Sequence, residues 1–213
     1  MKMGIINVLT KPLQMIRACR REQFLKTQRE KLKNKNISVI ASNCNGAMIL
    51  HDLKLPFNSP FVNLWIKPHD YVKMCRSLKH YMESELVFIE QDEYDYPVAL
   101  LDDIHIYFQH YQTEEEAGEK WQERVKRIDY DHLYFLFTDR DGCTEEDLTA
   151  FDRLPYEHKA VFVNRPHENI KSAVYISGFE NEACVGFCMY YRNLFSYRKY
   201  YDDFDYVGWL NNQ

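Results

Sequence analysis

No apolar run in this chain of 213 residues approaches the roughly 18 residues that a membrane-crossing helix needs, so the membrane-spanning class drops out. Glycine and proline are scarce at seven each, which excludes collagen-like and low-complexity chains and predicts few, short loops. Six cysteines, at 19, 44, 75, 143, 184 and 188, are too sparse for the framework of a small secreted scaffold and read as reduced thiols. Cys184 and Cys188 lack a second Cys/His pair at zinc spacing, so no metal site is expected. The chain has no P-loop, no G-x-G-x-x-G, no H-E-x-x-H and no G-x-S-x-G. Nucleotide-dependent kinases, ordinary dehydrogenases, zincins and α/β-hydrolases therefore lose most of their claim, and no cofactor is named. The opening stretch, Met1 to Leu9, is interrupted by polar residues and carries no small-residue cleavage site, so a cytoplasmic location is expected.

What is present is a globular composition, 46% hydrophobic and 28% charged, with an excess of aromatics at 15%. Sixteen tyrosines and thirteen phenylalanines serve either an aromatic core or a surface that stacks on flat ligands such as sugars and bases. The net charge of −5 hides an asymmetry: residues 1–36 carry ten Lys/Arg against two Glu, or +8, leaving −13 on residues 37–213. Within that arm Leu13, Ile16, Phe24 and Leu25 recur at helical spacing, with Arg17, Arg20, Arg21, Lys26, Arg29, Lys31 and Lys33 around them. The chain thus divides into a basic amphipathic N-terminal helix, 1–36, and a single α/β domain, 37–213. The helix can dock on the acidic body of its own domain, which the charge distribution favours, or peripherally on an anionic membrane surface; nucleic acid is not an expected partner.

Beyond Asn36 the β-branched run 37–41 reads as a buried strand, followed by the polar turn Ser42-Asn43-Cys44-Asn45-Gly46 and a helix. Prolines 56 and 60 mark a turn, 61–66 a strand, and Tyr71, Met74, Cys75, Leu78 and Met82 a helix over 69–82. Strand signals recur at 86–89 and 97–101. Residues 103–110 alternate, with Ile104, Ile106 and Phe108 on one face and His105, Tyr107 and Gln109 on the other. Thr113 before three glutamates caps a helix over 113–127, and Thr144 caps another over 145–151. Apolar strands are expected at 132–137, 159–163 and 172–176, and the aromatic tail 180–213 ends in a helix. The alternation implies a mainly parallel sheet with helices on both faces and a small antiparallel edge or insert from 86–108.

In such folds ligands bind beyond the carboxyl ends of the strands, where free helix amides gather. Three polar exits qualify: Ser42 to Gly46, Thr138-Asp139-Arg140-Asp141, and Asn164-Arg165-Pro166-His167. At a helix N-terminus the Cys44 thiolate would be stabilised and nucleophilic; the alternative is a small buried residue beside the turn. His110 is placed either as a general base or as a histidine tied down at a strand end. Ser42, Asn43, Asn45 and Arg140 complete a candidate phosphate or polyhydroxyl site. Trp121, Arg124 and Arg127 share a helical face that would either clamp an anionic sugar or dock on the acidic body. The doublet Asp102-Asp103 is too common a pattern in a chain with 32 acids to assign a metal.

The segments 38–46, Leu55-Pro56-Phe57-Asn58-Ser59-Pro60 through Asn63, Tyr96-Pro97-Val98, His105 through Tyr111 and Lys120-Trp121 through Ile128 resemble, in order and spacing, an uncharacterised bacterial family. Its members are domains of unknown function that recur among exopolysaccharide and capsule biosynthesis proteins. The likeness runs from about residue 20 to about residue 165. It departs at the turn, where this chain has Asn43-Cys44-Asn45-Gly46-Ala47 and the family's motif carries a second Asn or Gly-Gly around the Cys. The resemblance implies an α/β fold and a surface-polysaccharide context without a mechanism. The expected function is a glycosyl- or acyl-transferase acting on a nucleotide- or lipid-linked sugar, with a non-catalytic glycan- or partner-binding protein of the same pathway as the alternative.

Overall fold

The computed structural model describes the backbone of residues 2–212 and the side chains of residues 12–212. The Met1–Leu9 stretch, judged above for a cleavage site, thus lies outside the residues whose side chains are described. In chain order the elements are α1 (Lys2–Lys31), β1 (Ser38–Ala41), α2 (Asn45–Leu53), α3 (Pro68–Arg76), α4 (Leu78–Glu83), β2 (Leu86–Phe88), β3 (Val98–Leu101), β4 (Ile104–Tyr107), α5 (Glu114–Val125), β5 (Leu133–Thr138), α6 (Glu145–Asp152), β6 (Lys159–Val163), β7 (Ala173–Tyr175), a 3-10 turn (Tyr200–Asp203) and α7 (Tyr206–Asn211).

Strands β1, β5, β6 and β7 pair in parallel in that order, and β2, β3 and β4 form a separate antiparallel sheet. Strands β1, β5 and β6 are sealed on both faces, which is why their sequences are nearly unbroken apolar runs, whereas edge strand β7 stays partly exposed. Alternate residues go to opposite cores. Ile40, Phe135, Phe137, Val161 and Val163 pack with α3, α4, α5, α6 and the small sheet. Val39, Tyr134, Leu136, Ala160 and Phe162 pack with the end of α1, α2 and α7.

Caps follow the sequence closely. The Thr113 side chain accepts the Glu116 amide, and Thr144 and Asp147 form a reciprocal capping box, with three acids in each first turn facing the helix dipole. Three expectations give way. Residues 61–66 form no strand: Asn63 takes a left-handed φ of 63°, and the segment is held by a single bridge between Trp65 and Tyr107 and by the Ile66 amide donating to Ser42. The helix expected over 69–82 breaks at Ser77, whose φ of −137° and ψ of 45° end α3 and begin α4. Loops are not uniformly short. The chain from Ile176 to Lys199 contains no regular element and is fixed by buried Ile176, Val185 and Cys188 instead of by a backbone ladder.

Candidate functional site at the N-terminus of α2

The turn after β1 is built from Asn side chains. Asn43 donates its amide NH2 to Thr138 Oγ1 at 2.9 Å, tying the exit of β1 to that of β5, while its Oδ1 accepts the Asn45 backbone N–H at 3.1 Å. Such Asx turns give the backbone a side-chain substitute for a ladder bond. Ser42 is sealed within the strand exit, its amide donating to Leu136 O and its carbonyl accepting from Ile66, and it does not line a hollow. Gly46 is required by packing: a Cβ there would stand 2.7 Å from Ala41 Cβ and 3.0 Å from Val39 Cγ1, so its absence lets α2 lie close on β1.

Above this turn lies a hollow of about 410 Å³, inside the roughly 300–1,000 Å³ range of small-molecule sites. Its floor is Asn43, Cys44 and Asn45. One wall comes from Trp65, Tyr96, Gln109 and His110, the other from Arg140, Asp141, Phe187, Met189 and Tyr190. Cys44, His110, Asn43, Asn45 and Arg140, far apart in sequence, therefore meet at one rim of the parallel sheet. Trp65 is held firmly, stacked on Tyr107 at 4.0 Å and 14° and donating its Nε1–H to the Tyr96 hydroxyl at 3.2 Å. On the opposite wall the Arg140 guanidinium lies 4.3 Å from the Phe187 ring centroid and donates to Gly186 O at 3.2 Å. Asp139 holds that wall in place, accepting the amides of Val185 at 2.7 Å and Asn164 at 2.9 Å. Burial pushes the Asp139 carboxyl up, and these two amides oppose that in part.

The polar atom that stands out is Asn45 Oδ1. Asn45 is 3% exposed and lines the hollow, yet this oxygen has no hydrogen-bond partner. An acceptor left without a donor in a buried position carries a cost of about 1–3 kcal/mol. Two other hollows, of about 460 and 570 Å³, flank α6 around Glu145, Thr149 and Arg153, and no unpartnered buried side-chain atom among the described residues lines them.

Several expectations are corrected here. Cys44 occupies the cap position of α2, but burial pushes its thiol up from the ordinary value, and the backbone groups of Asn63, Cys44 and Leu64 oppose this only in part. Its Sγ sits 3.9 Å from Leu64 O and forms part of the floor, so burial works against the stabilised thiolate expected there. Trp121, 4% exposed, packs edge-on against Phe61 and Phe108 in the core and offers no face to a sugar. Arg124 donates to the Tyr111 hydroxyl at 2.7 Å, and Arg127 pairs with Glu123 and reaches Phe57 O; neither lines the hollow. The α5 face is therefore a packing and surface-pairing face. Asp102 and Asp103 turn the β3–β4 hairpin and pair with His80 and Lys73. Among the described residues no three His, Cys, Asp or Glu side chains converge on a metal position.

Asp141 belongs to the expected exit after β5, whereas the sequence reading did not assign Trp65, Tyr96, Gln109, Phe187, Met189 and Tyr190 to the site. The signal for the four aromatics was the aromatic excess, which composition alone does not assign to core or surface; Gln109 and Met189 carried none.

A family model described as a domain of unknown function, DUF1919, matches residues 15–211. The chain belongs to the DUF1919 family. An uncharacterized protein of Haemophilus influenzae is 44% identical to it over 205 residues, covering 94% of this chain and 98% of that relative. The match spans the DUF1919 fold from the second half of α1 to α7, so both walls of the hollow belong to the family unit. No helix among the described residues is long and apolar enough to cross a membrane.

Proposed function

We propose that this DUF1919 protein binds a phosphorylated sugar in the hollow at the N-terminus of α2 and acts as a glycosyltransferase of surface-polysaccharide assembly. The observation that carries the reading is the hollow itself, a floor of Asn43, Cys44 and Asn45 between two aromatic walls with Arg140 at the rim. Sugars offer hydroxyl donors around their edge and C–H faces above and below the ring. A floor of amides with flanking Trp65, Tyr96 and Tyr190 suits both. A phosphate leaving group is answered by the Arg140 guanidinium and the free amides at the first turn of α2.

In the transfer step the acceptor oxygen forms a bond to the anomeric carbon. The bond from that carbon to the phosphate oxygen breaks, its electron pair leaving with the phosphate. His110 takes the acceptor proton. Cys44 serves as floor, which removes the acyl-enzyme version of the idea. A glycan-binding protein without catalysis is the second reading, favoured by the aromatic walls of Trp65, Tyr96 and Tyr190, which serve binding alone.

Calorimetric titration with a nucleoside-diphosphate hexose and with a hexose 1-phosphate is the direct test. Binding that weakens about tenfold or more in both Asn45→Ala and Arg140→Gln is expected, since both residues line the hollow. Absence of binding at millimolar ligand, or affinity unchanged from wild type in both variants, overturns the reading. His110→Ala separates the two versions: transfer lost with binding kept supports the transferase, and binding without turnover in the wild type supports the glycan-binding protein.

A further inference from the structure

The second half of α1 is part of the body. Arg21, Leu25 and Leu32 are buried at spacings of four and seven, one stripe of the helix, with Arg21 held by Asp52 at 2.6 Å and by Asp202. The stretch before it behaves differently. Ile16 lies five residues, and Met15 six, ahead of Arg21, which turns them about 140° and 120° away from Arg21 at 100° per residue. They are 53% and 70% exposed. The sequence before them also holds the apolar residues Ile5, Ile6, Val8 and Leu9. The first 21 residues hold Lys2, Lys11, Arg17, Arg20 and Arg21 and no acid.

A second apolar surface adjoins it. Arg17 stacks over Tyr191 at 4.2 Å, Phe24 meets Tyr197 at 5.9 Å, and Arg198 lies 4.8 Å from the Phe24 ring. These contacts seat the 187–198 loop against α1, and the loop exposes Leu194 and, at 70%, Phe195.

We infer that the first half of α1 and the adjoining 187–198 loop form one surface that seats on an anionic phospholipid bilayer. Apolar side chains flanked by arginine and lysine suit the headgroup boundary, where the apolar part enters and the cations stay with the phosphates. A second copy of this chain is the poorer occupant. Pairing two such stripes brings eight basic residues together, Lys2, Lys11, Arg17 and Arg20 of each copy, with no acid among the first 21 residues to neutralise them. The body, at −13, is repelled by anionic lipid, so the basic helix also fixes which side faces the bilayer. The same loop supplies Phe187, Met189 and Tyr190 to the α2 hollow. Resting on the sugar-phosphate reading, this selects a sugar carried on a phosphorylated lipid as the substrate class.

Flotation of the full chain with vesicles is the test, and it needs no sugar, so its failure is separable from failure of the binding titration. Vesicles of phosphatidylcholine with about 30% phosphatidylglycerol are expected to carry the protein upward. Pure phosphatidylcholine should carry several-fold less, and about 0.5 M salt should release most of it. Ile16→Glu and Phe195→Glu, both at exposed positions, should each lower the floated fraction about tenfold with an unchanged urea midpoint. Wild type that stays at the bottom with anionic vesicles overturns the inference, as do both variants floating like wild type. A dimer in light scattering that Ile16→Glu dissolves also overturns it, assigning the face to a second copy.

Discussion

At the scale of single residues, the side chain that looked most reactive is held back by its burial. A cysteine at a helix start invites the thought of a thiolate, because the dipole there favours negative charge. In the folded chain burial wins over the dipole, and the Cys44 thiol is pushed above its ordinary value. Alkylation checks this directly. With iodoacetamide near pH 7, exposed Cys19 should react first and Cys44 at least about tenfold more slowly, its rate still rising as the pH passes about 9. Cys44→Ser should keep sugar-phosphate affinity within about twofold, because a hydroxyl fills the same floor. Fast labelling of Cys44 at neutral pH would restore it as a nucleophile. The residues of the turn were legible in the sequence because Asn, Ser and Gly at a strand exit have few other uses. Burial was not, since it depends on Leu64 and Trp65 folding over the turn from another segment.

At the scale of elements, the turn and α2 form a unit whose geometry rests on a glycine. Gly46 is helical, and its role is close approach: Ala41 and Val39 stand where a methyl would go. Gly46→Ala should gain helix propensity yet lose stability, by about 1–3 kcal/mol, because both neighbours belong to β1 and the contact is with a buried strand. Urea denaturation reads the sign, and a stabilised variant would mean that α2 shifts freely on the sheet. The helices and parallel strands were legible because their caps and apolar periods are local signals; α5, α6 and β6 lie within a residue or two of expectation. Trp121 shows where local reading stops. Its helical spacing to Arg124 is real, but which side of α5 faces the core is decided by Phe61 and Phe108, from segments distant in the chain.

At the scale of the whole molecule, the two chain ends are joined by a buried ionic group that no local pattern announces. Asp52 of α2 accepts from Arg21 of α1 at 2.6 Å, from Lys199 at 3.1 Å and from the Tyr201 hydroxyl, and Asp202 accepts from Arg21 as well. Burial by itself raises the Asp52 carboxyl; the hydrogen bonds from Tyr201 and Arg21 and the Lys199 charge outweigh it, so the group is held below its ordinary 3.8. A carboxylate depressed in the folded state stabilises at pH values above its unfolded pKa of about 3.9, and that contribution is lost as pH falls through the lower folded value. Unfolding free energy should therefore drop below about pH 4, with α1 and the Lys199–Asp202 segment loosening together. Asp52→Asn should cost about 3–5 kcal/mol at neutral pH, since Arg21 and Lys199 are left facing each other around one remaining acid, and should flatten the acid limb of the stability curve. Hydrogen exchange distinguishes this from general destabilisation: the amides of α1 from about residue 20 onward and of the 199–204 segment should lose protection well before those of β5 and β6. Equal loss across the sheet would mean that the ionic group supports the whole core and not the junction between the two ends.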